Sequence, residues 1–567
     1  MKRLFCNKIL CFSFFLFLSK TLIFSEENEV LTFPVEQSES QNENPISLDS
    51  DNNIEEKQSE SEHSYQITNV VYTSLGMTRE SALAKNVKID KNAIFSSEDE
   101  FLVYLEKLKQ EFENTRLLEN ISCTYEILKD SETDIFPITL FVSVSDSKHL
   151  LLLPRPGYNS NTGAQLKLKL KDNNFLGTMN VLNFDFNGRL GTDDEPQNFS
   201  LVTLGLNFDY TYPFSVFETE DEWSNEASFS WLLGSNRPDF SYITGLTVGL
   251  PFGKNSLKFY AKQGILADTD YESYDDYLYF KENVGVKLPL VLGYVDSFTP
   301  ISFTPSLSFT YYWDKNGINV ENEDLIGPEL SQSNEFSIEQ INWIGNMRDG
   351  YSLSTSLSAT WNFQEAKLKP SFDIEAKYFK TFNRFISISA DFYFYGMINS
   401  SQNAVGSRLR GIRDNQTYNG NSLYALKSPM GLQFSFDSPI HIITTNWLGW
   451  GNALFGSYEE LSPFAKVALW LPYKLAKYVD FELQLSPFVD FALTYNDVTE
   501  RYFNPKDGYY AAGLEVLVYP LRWKSFVIRG SLGLDVGRLL LSNALETSFR
   551  DTSVSPFEIF FGLGLNY

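Results

Sequence analysis

The stretch that decides the fold covers residues 351–363 and reads YSLSTSLSATWNF. Mostly apolar side chains, including Leu353, Leu357 and Trp361, stand at the odd positions, and serine, threonine or asparagine stands at every even one. Successive side chains of a β-strand point to opposite faces, so this alternation predicts a strand with one apolar and one polar face.

A second stretch, LKLKLK at residues 166–171, shows how firmly such a sequence sets its own register. A slip by one residue would exchange three leucines for three lysines on the apolar face. If that face contacts lipid, each lysine near the midplane costs about 2–4 kcal/mol. We therefore expect the leucines to point outward and the lysines inward.

The same alternation recurs at residues 242–250, 385–395, 481–493, 514–518 and 526–536. A soluble β-sandwich would alternate in the same way, and periodicity alone does not separate the two. Small and charged residues on the polar face, and aromatic residues near strand ends, favour a water-filled lumen between interfacial girdles. Open sheet edges cannot face hydrocarbon, so the strands must close. The prediction is a mainly β protein, with a transmembrane antiparallel β-barrel of about 16 strands over residues 155–567.

Composition excludes several classes of protein. The chain has 567 residues and a net charge of −26, which disfavours nucleic acid as a partner because phosphate binding needs a basic surface. Beyond the N-terminal segment no run of 18 apolar residues occurs, so helical membrane spans are not expected.

The first 62 residues are interpreted as two non-globular segments. Residues 1–25 place basic residues before an apolar run at 9–18, which is typical of a cleaved signal peptide; an uncleaved anchor helix is the alternative. Residues 26–62 hold twelve acids and one base, Lys57, which predicts an acidic disordered linker rather than a specific acidic binding tail. Removal of the signal leaves Cys123 as the single cysteine, so no internal disulfide is expected.

Residues 65–147 have the pattern of a small α+β domain. A helix is predicted after the capping residues Ser96 and Ser97, with apolar residues at three- and four-residue steps from Phe101 to Phe112. With its neighbours this predicts the order β-α-α-β-β, which suits a docking module better than an enzyme.

Three further segments resemble a known family. Residues 153–163 read LPRPGYNSNTG, and after one alternating strand comes the turn Asn174-Phe175-Leu176-Gly177. This is similar to the start of the barrel in the BamA/TamA superfamily of outer-membrane assembly and translocation proteins, in which such a turn is expected to join the first two strands. The 65–147 unit resembles one POTRA domain of that family. The end of the chain resembles its terminal strand signal, which is carried by Phe561, Leu563, Leu565 and Tyr567.

A motif in a long loop extends the resemblance. Arg410, Gly411 and Ile412 resemble the family's Arg-Gly-aromatic motif, with isoleucine in place of the aromatic residue. The resemblance implies that this loop folds into the lumen and that its arginine meets an acid of the barrel wall, for which Asp490 is the candidate. Two segments, 431–436 and 467–473, compete for the strand that follows the loop.

No catalytic constellation is found, so the protein is not expected to be an enzyme. The three histidines are far apart, and no nucleophile elbow, phosphate-binding glycine loop or zinc-binding helix occurs. An acidic cluster beginning at Asp268 lacks the glycine and terminal glutamate of a calcium loop, and a solvated loop is the preferred interpretation. Neither a metal nor another cofactor is expected.

The resemblance implies an outer-membrane protein of bacteria whose N-terminal domain lies in the periplasm and which assists insertion or translocation of other proteins. Its expected partners are outer-membrane lipid, unfolded or extended client proteins bound by the POTRA-like domain, and periplasmic accessory proteins. The alternatives are a passive porin or surface-binding barrel, and a lipid or glycan exporter built on the same scaffold.

Overall fold

The computed structural model describes residues 64–91, 93–128, 135–159, 163–190, 200–217, 219–253, 255–268, 277–319, 322, 325, 327–398, 408–412, 418–419, 423–425, 428–446, 480–496, 499–545 and 556–563. The predicted signal peptide and acidic linker lie outside these residues. Within them, no helix is both long enough and apolar enough to cross a membrane.

The N-terminal domain contains four strands and two helices. In chain order these are β1 (Ser64–Leu75), α1 (Glu80–Asn86), β2 (Ile94–Phe95), α2 (Glu98–Asn114), β3 (Leu118–Ile127) and β4 (Ile135–Asp146). The sheet order is β2-β1-β4-β3, with β1 and β4 parallel. The predicted order β-α-α-β-β is present, with the short strand β2 added.

Helix α2 begins where the sequence predicts. The Ser97 hydroxyl accepts a hydrogen bond from the backbone N–H of Glu100 at 3.2 Å, and the Glu100 carboxylate accepts one from the backbone N–H of Ser96 at 2.7 Å. This reciprocal pair satisfies two N–H groups at the start of the helix. The helix buries Phe101, Leu108 and Phe112 completely in the domain core.

The remaining strands belong to the barrel or to a small sheet in one loop. The barrel strands are β5 (Leu150–Asn159), β6 (Gly163–Asp172), β7 (Leu182–Leu190), β8 (Val202–Phe214), β9 (Glu220–Leu232), β10 (Asp239–Phe252), β11 (Asn255–Ala267), β12 (Leu278–Lys287), β13 (Leu290–Tyr294), β14 (Pro300–Asp314), β15 (Gly317–Ile318), β16 (Glu329–Ile344), β17 (Met347–Asn362), β18 (Lys367–Phe382), β19 (Ile386–Met397), β23 (Met430–Asp437), β24 (Ile440–Asn446), β25 (Asp480–Asn496), β26 (Arg501–Tyr502), β27 (Tyr509–Pro520), β28 (Ile528–Asp535) and β29 (Phe557–Leu563). The loop strands are β20 (Arg408–Leu409), β21 (Tyr418–Asn419) and β22 (Leu423–Ala425), and the short helix α3 (Val536–Leu539) follows β28. Two 3₁₀ turns complete the description, at Phe175–Gly177 and Pro505–Asp507.

The barrel strands form a closed ring in which β29 lies beside β5. The ring has twenty-two described strands, of which four are not separate crossings of the wall. Strand β13 continues β12 along β14, and β24 continues β23 along β25. Strands β15 and β26 are two-residue strands that pair only with the ends of β14 and β25. Eighteen crossings of the wall remain among the described residues, and we call these staves. The predicted closed antiparallel barrel is confirmed. The count exceeds the expected 16 because several connections are very short, such as the Ile344 to Met347 turn between β16 and β17.

The start of the barrel needs a correction. Strand β5 begins at Leu150, before the predicted boundary at residue 155, and it pairs with β6 from Leu150↔Asp172 to Asn159↔Gly163. The turn around Asn174 and Gly177 therefore joins the second stave to the third rather than the first to the second. The sequence suggested otherwise because residues 153–159 lack the alternation of the segment that follows, and the pattern therefore predicts that segment as the first strand.

Register assigns every stave an inner and an outer face. Inner positions include Asp490 and Glu515, which are fully buried, whereas outer positions include Leu357 at 60% and Ile559 at 81% exposure. Strand β6 has the predicted orientation, since Lys169 pairs with Asp185 of β7 at 3.6 Å while Leu166 is exposed. The outer face is therefore apolar and the lumen is polar, as the alternation predicts.

Candidate functional site

A short segment of the loop between β19 and β23 lies deep inside the barrel. Residues 409–412, which we call the loop tip, are all buried against the inner wall. The strand that follows the loop is β23, so of the two competing segments 431–436 is the one described there; 467–473 lies outside the described residues.

Arg410 is held by two carboxylates on neighbouring staves. Its Nε and Nη2 donate to Asp490 of β25 at 2.9 and 2.5 Å, and its backbone N–H donates to the same carboxylate at 3.1 Å. Its Nη1 and Nη2 donate to Asp437 of β23 at 2.5 and 3.1 Å. The planar guanidinium thus makes two bidentate contacts, the geometry for which arginine is better suited than lysine.

Two further wall residues complete the surroundings of Arg410. Its guanidinium carbon lies 3.8 Å from the ring centroid of Phe488, close enough for a cation–π interaction. Glu515 of β27 lies 3.5 Å from Arg410 Nη1 and 3.5 Å from Arg529 Nη1 of β28. Two arginines and three carboxylates therefore share a dry part of the lumen, where each charge depends on the others for compensation.

Gly411 packs against a glycine of the wall. Its φ is +81°, and an added Cβ would lie 2.7 Å from the backbone nitrogen of Leu534 and 2.9 Å from the carbonyl carbon of Gly533. The backbone N–H of Gly411 donates to Glu558 of β29 at 2.7 Å. Both the backbone conformation and the contact require glycine at this position.

Ile412 occupies an apolar pocket in the otherwise polar lumen. It is 1% exposed and clusters with Leu409 and with wall residues Ala492, Tyr509 and Ala511. Its predicted family counterpart is aromatic; here two alanines and a tyrosine shape the pocket around a branched aliphatic side chain.

The loop tip consequently contacts five successive staves, containing β23, β25, β27, β28 and β29, of which the last closes the ring onto β5. The structure brings together Arg410, Gly411, Ile412 and Asp490, the residues singled out from the sequence. It adds four wall residues that sequence reasoning missed: Asp437, Glu515, Gly533 and Glu558. The sequence feature that could have identified them is an acid or a glycine on the polar face of an otherwise apolar strand. Examples are FSFD at 434–437 and PFEIF at 556–560.

The Asn174–Gly177 turn binds the N-terminal domain. Asn174 donates from Nδ2 to the Thr78 hydroxyl at 2.6 Å, and the carbonyl of Gly177 accepts from the backbone N–H of Arg79 at 2.9 Å. Gly177 has a φ of +71°, and a Cβ there would collide with the carbonyl of Met77. The turn's residues are therefore those of a docking site, a role the sequence did not suggest.

A second docking contact lies at the turn between β16 and β17. Asn114 of α2 exchanges hydrogen bonds with this turn, donating to Asn342 Oδ1 and accepting from the Trp343 backbone N–H, both at 3.0 Å. Arg116 donates to the carbonyl of Gly345 at 3.0 Å and to Asn346 Oδ1 at 2.7 Å, and stacks 4.0 Å from the Trp343 ring centroid. Burial lowers the pKa of Arg116 to about 10, so its charge is retained at neutral pH.

Other predicted residues are only partly described. Phe561 and Leu563 lie in β29, but the structure does not describe their side chains. Leu565 and Tyr567 lie outside the described residues. Of the acidic cluster only Asp268 is described. Within the described part of the chain, no group of three or more histidine, cysteine or acidic side chains is arranged to hold a metal ion.

The fold and the site define a class of protein: a closed antiparallel barrel with a loop anchored to its inner wall and a small α+β domain docked at one end. No family model and no curated protein matches the chain. Solved structures similar to it include BamA from Haemophilus ducreyi lacking POTRA domains 1–3, with 12% identity, a TM-score of 0.34, and coverage of 88% of this chain and 84% of that one.

Two CdiB structures are also similar. CdiB from Acinetobacter baumannii shows 12% identity and a TM-score of 0.40 over 88% of this chain and 73% of that one. CdiB from Escherichia coli shows 8% identity and a TM-score of 0.37 over 90% and 92%. The family that the sequence resembles is thus represented among these solved structures.

Proposed function

We propose that this chain is a non-enzymatic outer-membrane protein that assists the insertion or translocation of other proteins, with its N-terminal domain in the periplasm. The single observation that carries the proposal is the anchored loop tip. It joins the last five staves through Arg410, Gly411 and Ile412 and reaches the closing strand through Glu558. The brace ends at β29, so the closing junction between β29 and β5 lies at its edge and is not held by the loop tip.

The proposed mechanism uses both ends of the chain. Strand β3 is an edge strand of the N-terminal sheet, so an extended client can add a strand beside it through backbone hydrogen bonds, with little demand on client sequence. The client then meets the β29–β5 junction, where the barrel opens or is weakened. The loop tip keeps the last five staves together while this happens.

The test is depletion of the protein in its own cells, followed by quantification of other outer-membrane barrels and of secreted proteins. The proposal expects a lower amount of several barrels, or the loss of one secreted partner. If both sets stay at their normal levels while the protein is depleted, the proposal is wrong.

A passive porin is the second candidate, because the lumen is lined by charged and polar side chains such as Lys262, Lys281 and Glu335. Planar-bilayer conductance separates the two. A large, stable and always-open pore favours the porin, whereas a closed or briefly opening one favours the assembly role.

A further inference from the structure

A recess of about 430 Å³ lies in the lumen wall away from the loop tip, on the strands from β9 to β16. Three lysines line it, Lys262, Lys281 and Lys287, together with Tyr260 and Asn283. Glycines make the space: Gly285 lies beneath the Tyr260 ring, and Gly264 lies directly across from Lys281.

The positions of these lysines are electrostatically unfavourable in the empty recess. Lys258 and Lys287 are direct partners across β11 and β12. Like charges at such positions destabilise a sheet. Lys281 makes a long cation–π approach, with its Nζ 5.6 Å from the Tyr312 ring centroid, and no salt bridge is described for it. Because the lysine ammonium groups repel one another in the empty recess, a bound anion would stabilise this part of the barrel.

The carboxylates nearby do not balance these charges. Glu226 pairs with Lys262 at 3.5 Å, and Glu335 lines the recess from β16. Glu222, outside the recess, is shared between Lys258 at 3.7 Å and Lys85 of the N-terminal domain at 3.5 Å, and it also attracts Lys287 at longer range. Three lysines and two glutamates therefore line the recess, in a chain whose net charge is −26. The excess of positive charge is local to the lining of the recess.

We propose that this recess binds a phosphate-bearing ligand. All the cations that line it are lysines and none is an arginine. A lysine ammonium binds phosphate as a point charge, as the lysine of phosphate-binding loops does. The amide of Asn283, the hydroxyl of Ser306 and that of Thr247 supply further polar groups on the lining. The ligand is a solute in the lumen or the phosphorylated head of a lipid, and the two share this chemistry.

The test is calorimetric titration of the full chain, in detergent micelles at low salt, with inorganic pyrophosphate. We expect saturable binding that weakens by roughly tenfold or more in Lys281→Gln/Lys287→Gln. Lys281→Gln alone should show a smaller loss and serves if the double variant does not fold. The matched control is Lys377→Gln, a lumen lysine already paired with Glu375 at 2.9 Å, which should bind like the unaltered protein.

Two further arms identify the source and the class of ligand. Nanodiscs with phosphatidylglycerol that compete with pyrophosphate indicate a lipid head, and no competition indicates a soluble ligand; either supports the proposal. Absence of saturable binding, equal binding by the double variant, or tighter binding of hexaglutamate than of pyrophosphate would overturn it.

Discussion

The guanidinium of Arg410 and the carboxylate of Asp490 form a two-point contact, with Nε 2.9 Å from Oδ2 and Nη2 2.5 Å from Oδ1. Eighty positions separate the two residues in sequence. Both side chains are at most 1% exposed, so neither charge has water to replace its partner. The contact therefore fixes the position of the loop tip relative to the wall.

Arg410→Ala should destabilise the barrel by about 3–5 kcal/mol, because it leaves the buried carboxylates of Asp437 and Asp490 uncompensated. Urea unfolding in detergent, followed by heat-modifiable migration, measures this loss. Lys367→Ala is the control: its ammonium is exposed and 3.9 Å from Glu365, so a change within about 0.5 kcal/mol is expected. Equal stability of the two variants would show that the anchor contributes nothing.

Gly411→Ala should lower the free energy of unfolding by more than the strain of a positive φ alone. The substitution adds about 1–2 kcal/mol of backbone strain and also forces the loop away from Gly533. Gly253→Ala is a matched control, since Gly253 has a φ of +64° with no atom within 4 Å of the added Cβ. The same unfolding assay should rank Gly411→Ala as clearly the less stable; a reversed order contradicts the close approach to β28.

Much of the architecture followed from the sequence. The alternation at residues 351–363 and the LKLKLK stretch predicted strands, faces and register. Alternate side chains of a strand point to opposite faces, so only one register places the apolar set toward lipid and the polar set toward the lumen. The pairing of Arg410 with Asp490 came from a family motif. Asp437, Glu515 and Glu558 were missed because each is one acid among many lumen-facing positions, and sequence does not say which inner positions a folded-back loop will cover. The docking role of Asn174 was missed for a related reason, since it depends on a contact between two domains.

Arg116→Ala should loosen the N-terminal domain from the barrel. The substitution removes donors to Gly345 and Asn346 and leaves those acceptors unpaired. Amide hydrogen exchange at Trp343, whose N–H donates to Asn114, should accelerate. Arg384→Ala, at an exposed turn, should leave this exchange unchanged. Slow exchange in both variants would mean that Arg116 does not hold the domain in place.

Stability should depend on pH through His149, which lies before β5, with its Nδ1 2.6 Å from Asp172 Oδ1. The hydrogen bond to Asp172 raises the pKa of His149 above its usual 6.5. A raised folded-state pKa means that the contribution is complete below pH 6.5 and is lost as pH rises through the folded value. The midpoint of thermal unfolding should fall over that window in the unaltered protein, and His149→Gln should remove this part of the dependence. An identical pH profile in His149→Gln would refute the assignment.

The most direct test of the whole account asks whether the outer face contacts lipid. In a background with the three native cysteines replaced by serine, Leu357→Cys and Ser358→Cys place a thiol at neighbouring positions of β17, one on the outer face and one on the inner. In membrane vesicles opened to the reagent, a charged maleimide should label the inner thiol readily and the outer one hardly at all. Rapid labelling of Leu357→Cys would mean that water, not hydrocarbon, covers the outer face of the barrel.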